Sequence, residues 1–454
     1  MDQGPRSTVQ CWPVPLRNPI RHYDWGSRVE LARFQRRPAS GLPEAELWLG
    51  AHPSGPSTLV PLPEDRHELP RDRPSPEGHG ALPGARSTGD TADGLSLADA
   101  INADPLGVLG ADVVARFGTR LPFLLKVLAI ARPLSVQVHP SAARAAEAFA
   151  DPSLALGGHR YVDPWPKPEL LYALRPSEAL CGFRPPERTR VLLSLFEGPR
   201  VHRLVEALTG GDSPHAGESL LRALVTWPVD DRESLVRELA GSARQVMLWP
   251  GKESRSVSPT ELRTLLWVRR LARAYPQDPL VAAPLVFDLL NLAPGDSLFV
   301  PAGVPHAYLD GFGIEIMGSS DNVLRAGLTP KPIAVDELLL TLDSASRPSP
   351  SIPPTLLGPH EVAWRPPVEE FQLTRLRIPE GTHAHLDADV TGPQILLCTL
   401  GPVTVQVDGG GTVILGAGAS AFLGADAGPC TLSGAGEVFR AAVGPHRSRL
   451  PALR

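Results

Sequence analysis

Between Pro133 and Pro140 the chain reads Pro-Leu-Ser-Val-Gln-Val-His-Pro, and Val136 and Val138 alternate with Ser135, Gln137 and His139. On a β-strand alternate residues share a face. The two valines therefore point into a core, and a hydroxyl, an amide and an imidazole form a polar wall on the other side. Such a wall costs free energy unless something binds it. A hydrogen-bonded strand end satisfies the same pattern, so the rest of the chain must decide.

At 454 residues the chain is too long for one small core, which predicts two or three domains. The apolar fraction of 42% is that of a globular protein. Net charge is −5 and no basic patch is visible, which argues against nucleic acid and anionic membranes as partners. No apolar run approaches the roughly 20 residues of a membrane span. Met1 to Val14 lacks the pattern of a secretory signal. Cys11, Cys181, Cys398 and Cys430 have no metal-ligand spacing and fit a reducing compartment. A cytoplasmic protein is the expectation.

Residues 15–60 read as strands and turns. Residues 61–95, rich in Pro, Gly and charge, read as a mobile surface insertion. Leu97–Phe117 reads as helical, and Leu121–Leu128 as a buried strand. Ser141 caps an Ala-rich helix running to Phe149. Between 187 and 285, stretches such as Val201–Leu208 and Glu261–Ala272 carry helical periodicity. Strands resume near Val286, and a helix follows at Val335–Leu342. Ser344–Pro354 reads as a linker, and residues 360–446 show short alternating strands.

Three further clusters carry chemistry. In Gly295–His306 the spacing G-x5-P-x-G-x2-H resembles the second motif of the cupin β-barrels, whose histidine binds metal, with Asp310 where that family usually carries Asn. The alternative is a turn histidine at a strand edge. Pro166-Lys167-Pro168-Glu169 places a carboxylate before an apolar strand, and by itself reads as a surface charge pair on a loop rather than as part of a cavity. Ser320–Lys331 contains Arg325 and Lys331, cations suited to a phosphate or a developing oxyanion. A solvated loop is the commoner fate of such charges.

In this order the clusters resemble the type I mannose-6-phosphate isomerases. Asn18–Gly26, Ala45–Pro53, Leu121–Leu128, Ala179–Arg184 and Gly313–Met317 fit the same family. The resemblance covers residues 15–340 by motif, and the remainder by β-rich character only. It implies a mainly β fold with inserted α. A cupin-like jelly-roll catalytic domain would comprise 1–186 and 286–345, with a helical domain at 187–285 and a degenerate, metal-free cupin-like β domain at 355–454.

The resemblance also implies one Zn²⁺ per chain, held by Gln137, His139, Glu169 and His306. It implies aldose–ketose isomerisation of mannose 6-phosphate and fructose 6-phosphate through an enediol, in a monomer that takes a sugar-phosphate substrate. Arg325 matches the family's catalytic arginine, and Lys167 is the candidate proton shuttle. Ser135 and Lys331 are candidates for the phosphate, and Trp25 and Glu46 for lining the cavity. The general base stays open among Lys167, Glu315, Asp321 and a metal-bound water. Pro166 stands where many family members carry His, and the stiffness of Asp163–Pro166 raises the question of where Glu169 is placed. The competing readings are a metal-binding cupin that senses a sugar phosphate, an isomerase of another sugar phosphate, and a structural β-sandwich.

Overall fold

The structure is a computed structural model. It describes residues 12–61, 94–209, 215–248, 257–343, 352–386 and 390–446. Nearly all of the 61–95 insertion and most of the Ser344–Pro354 linker lie outside these residues.

Among the described residues two antiparallel sheet systems of ten strands each carry the fold, with helices at their flanks. The first is built around His306–Gly318, which pairs with Phe123–Ile130 and Glu169–Ala173 along its second half. The first half of the same long strand pairs with Val136–Val138 and Ser177–Phe183. Leu324–Gly327 joins the other edge of Val136–Val138. The second system runs from Thr355–Gly358 to Ser420–Leu423, with the long pair Gln372–His385 and Cys430–Ala442 at its centre. Val14–Arg17 crosses over to this second system and pairs with Ser420–Leu423.

Alternation divides the first sheet into two chemically opposite faces. Leu47, Leu125, Val127, Ile314, Ile316, Leu170 and Phe299 are at most 1% exposed and share one apolar cluster with Ile395, Phe422 and Phe439 of the second sheet. Fully burying a side chain of this size contributes about 1.5–3 kcal/mol. On the other face Lys126 stands opposite both Trp48 and Glu315, and Glu169 stands opposite Met317. The charged groups thus line the side turned away from the inter-sheet core.

The helical stretch lies between two paired strands, Ser177–Phe183 and Phe287–Leu292. It comprises Pro186–Leu193, Pro199–Thr209, Ala216–Val225, Arg232–Leu248 and Pro259–Ala274, and packs Leu221, Leu239, Leu265 and Leu271 into one apolar cluster with Val136, Val138, Leu180 and Leu324 of the first sheet. None of the described helices is long and apolar enough to cross a membrane.

Two local differences from the sequence reading have simple causes. Leu97–Phe117 forms three short helices, Leu97–Ala103, Pro105–Leu109 and Ala111–Phe117. Pro105 offers no N–H to continue the first, and Gly110 at φ +82° ends the second. Glu30–Phe34 forms a five-residue helix inside a region that reads as strands and turns; Leu31 and Ala32 are buried, and the Ser27 hydroxyl accepts from Glu30 N.

Candidate metal centre and its surroundings

Gln137 stands opposite His306 in one strand ladder and opposite Arg325 in the next, and His139 follows two residues later on the same face. The polar wall read from the alternation therefore faces the cluster predicted from the G-x5-P-x-G-x2-H spacing. Glu169 opens the neighbouring strand and completes the group. His139, Glu169 and His306 are all buried, with donor atoms within 4.8 Å of one another. Gln137 is half-buried at the edge of this group.

The protonation of the two imidazoles follows from their partners. His139 Nδ1 donates to the Asn322 carbonyl at 2.9 Å, and His306 Nδ1 donates to the Val304 carbonyl at 3.0 Å. A carbonyl only accepts, so each neutral ring carries its proton on Nδ1. Burial, reinforced by the Lys167 charge, lowers the His139 pKa to about 4, which keeps that ring neutral.

The Nε2 lone pairs then have nothing to accept from. His139 Nε2 lies 3.0 Å from Glu169 Oε1, and His306 Nε2 lies 3.3 Å from Glu169 Oε2. Neither nitrogen has a hydrogen-bond partner among the described residues, although both are buried. Two lone pairs set against a carboxylate in a dry interior repel unless a cation stands among them. Donor separations near 3 Å suit atoms sharing one ion through bonds of about 2.0–2.2 Å, and nitrogen and carboxylate oxygen are ordinary zinc donors. The residues present therefore fit a divalent metal.

A ring of charge supports the cluster. Lys167 Nζ donates to Glu169 Oε1 at 2.7 Å, and the Tyr308 hydroxyl donates to Oε2 at 3.3 Å. Burial works against the Glu169 charge, but the Lys167 ammonium and the neighbouring His139 and His306 together outweigh it and hold the carboxyl well below its usual range. Lys126 lies 3.2 Å from Glu315 and 3.7 Å from Glu46. Burial opposes its charge, but the two carboxylates raise its pKa. Glu315 is pushed up by burial and by neighbouring Glu169, despite Lys126.

Glu46 accepts from Trp48 Nε1 at 2.5 Å and is buried. Trp25 stacks on Tyr23 at 5.9 Å and packs against the apolar cluster containing Leu128, Val300 and Tyr308. Arg325 is half-buried, its pKa is lowered by burial alone, and no carboxylate among the described residues answers its charge. Ser135 is half-buried and Lys331 is exposed, and among the described residues no side-chain hydrogen bond ties either to the cluster. Asp321 reaches His52 at 3.4 Å, and that partner lowers its pKa.

Sequence reasoning missed Lys126 and Tyr308 as parts of this site. The signal for Lys126 was a single ammonium inside the apolar run Leu121–Leu128. Tyr308 offered only period-2 spacing after His306. The unusual Pro166 does not displace Glu169, which meets both histidines.

A buried nitrogen–nitrogen–carboxylate pocket on antiparallel sheet, flanked by an unanswered arginine, is the kind of site that metal-dependent β enzymes use. The family model for the catalytic domain of phosphomannose isomerase type I matches residues 70–186. The Escherichia coli mannose-6-phosphate isomerase is 32% identical over 94% of this chain and 98% of its own length. Mannose-6-phosphate isomerase 1 of Arabidopsis thaliana is 30% identical over 85% of this chain and 83% of its own. A zinc-bound mannose 6-phosphate isomerase has a similar structure, with a TM-score of 0.77 and 29% identity over 95% of this chain and 100% of that one. The chain belongs to the mannose-6-phosphate isomerase family.

Proposed function

We propose that this chain interconverts mannose 6-phosphate and fructose 6-phosphate with one zinc ion held by Gln137, His139, Glu169 and His306. The observation that carries the reading is the pair of buried Nε2 lone pairs facing Glu169 with both ring protons committed to carbonyls. Held there, zinc would supply Lewis acidity for an aldose–ketose isomerisation.

The reaction moves a proton between C2 and C1 of the open-chain sugar through an enediol, which builds negative charge on oxygen. Arg325, with no carboxylate among the described residues to neutralise it, is aimed by its ladder position at the same face as Gln137 and stabilises that charge. Lys167, hydrogen-bonded to Glu169 and buried, orients that carboxylate and holds a proton at Nζ on the cavity wall. Ser135, on the face of Gln137 and His139, and Lys331 receive the phosphate. Glu46 and Trp25 shape the cavity wall. The general base is open among Lys167, Glu315, Asp321 and a bound water.

The architecture supports a cupin-like catalytic body of residues 1–186 and 286–345, a helical insertion at 187–285, and a cupin-like domain at 355–454 to which Val14–Arg17 adds a strand. In support, the helical stretch leaves and re-enters the first sheet through the adjacent strands Ser177–Phe183 and Phe287–Leu292.

Substrate competition tests the assignment. Mannose 6-phosphate should turn over with a kcat/KM at least tenfold above that of other aldose 6-phosphates. An equal or greater value for another aldose 6-phosphate would reassign the substrate. Zinc bound without turnover of any of them would favour a sensor.

A further inference from the structure

The segment Asp163–Pro168 and the loop Ser320–Asn322 are far apart in the chain yet locked together. The Asp163 carboxylate accepts from Ser320 Oγ at 2.8 Å, from Trp165 N and Asp321 N at 3.0 Å, and from Asn322 Nδ2 at 3.1 Å. The Asn322 amide also donates to the carbonyls of Asp163 at 2.7 Å and Trp165 at 3.1 Å, and its oxygen accepts from Val162 N at 3.0 Å. Asn322 is 2% exposed and Ser320 1%. Outside this clasp the Arg120 guanidinium stacks 3.8 Å over the Trp165 ring and donates to the Ser319 carbonyl at 3.1 Å.

Both ends of the clasp lead to the metal centre. The Asn322 carbonyl is the acceptor that fixes the proton of His139 on Nδ1 and leaves Nε2 free. On the other side Trp165 leads through Pro166 to Lys167 and Glu169, and Gly318 N donates to the Pro168 carbonyl at 2.9 Å. A rigid proline-rich run needs such an anchor, because it cannot adjust Glu169 by local rotation.

We propose that Asp163 and Asn322 are positioning residues for the metal centre: their clasp sets the tautomer of His139 and the distance from His139 to Glu169. The inference rests on the zinc reading above. Partners behind metal ligands typically change metal affinity by 10–100-fold when removed. The clasp also holds the loop from which Leu324–Gly327, with Arg325, begins.

The test is the zinc dissociation constant of the full chain, measured by equilibrium competition with a chelator, for Asp163→Asn and Asn322→Ala. Ser320→Ala serves as the milder variant if Asn322→Ala does not fold. Thermal midpoints of the metal-free proteins and the His139 Nδ1–H proton resonance are recorded alongside. The inference expects Kd to rise 10–100-fold in proteins that remain folded at the assay temperature, with the His139 resonance shifted or lost to exchange. An unchanged Kd and an unchanged resonance in folded variants would overturn it, whatever the fall in midpoint. Wild-type protein that binds no zinc would instead overturn the reading on which it rests, so the two failures are distinguishable.

Discussion

Gln137 faces His306 on one side of its strand and Arg325 on the other. Directly opposed residues of antiparallel strands have Cβ atoms about 4.5–5.5 Å apart. One short strand therefore holds metal donors and the candidate oxyanion cation on one surface. If Arg325 acts on charge that develops in the transition state, Arg325→Ala should lower kcat by about 10²–10³ and leave the zinc content unchanged. Steady-state kinetics with metal analysis checks this. A change confined to KM would assign Arg325 to substrate binding.

Removing one imidazole should remove the metal. His306→Ala leaves Glu169 and His139 with no third strong donor on that side, so bound zinc and turnover should fall together. Metal analysis after gel filtration, paired with the isomerase assay, reads both. Full activity in a zinc-free His306→Ala protein would sink the metal assignment.

Lys126 is the counter-charge for two buried carboxylates, Glu46 and Glu315. Lys126→Met preserves most of the stem and deletes the charge. Breaking a buried ion pair by removing one partner typically costs about 3–5 kcal/mol. Denaturant unfolding should show a loss of that order. A loss below about 1 kcal/mol would mean that the two glutamates take up protons without consequence, or that water reaches them.

Glu337 is fully buried and accepts from Arg144 Nε and Nη2 at 2.8 and 2.7 Å, from Leu156 N at 2.8 Å and from Tyr161 Oη at 2.6 Å. Burial opposes its charge, but these donors win and its pKa lies below the usual value. A depressed folded-state pKa contributes stability that is present above the unfolded value and is lost as pH falls through the folded one. Glu337→Gln should therefore be less stable than wild type near neutrality, by about 3 kcal/mol. The gap should narrow below pH about 4.5. Unfolding curves from pH 7 to pH 3 check the trend, and a gap that does not change with pH would contradict it.

The alternation at Ser135–His139, the turn spacing before His306 and the Ala-rich helix after Ser141 are legible because each follows a local rule of period or capping. Ala142–Ala150 is helical, and the Ser141 hydroxyl accepts from Arg144 N, as its sequence dictates. The partnership of these segments is not local. Glu169 meets His139 only because Glu169–Ala173 pairs with the long strand that His306 begins. The Asp163–Asn322 clasp joins residues 159 positions apart, and no spacing rule anticipates it. Lys126 hides within an apolar run because its charge is neutralised by residues of two other strands. The crossing of Val14–Arg17 to the second sheet is equally invisible, since a strand's sequence does not name its partner.

The most direct measurement is the conversion of mannose 6-phosphate to fructose 6-phosphate before chelation, after chelation and after zinc is restored. The account predicts turnover that falls with the chelator and returns with zinc. Turnover indifferent to the chelator, in protein shown to be metal-free, would contradict it.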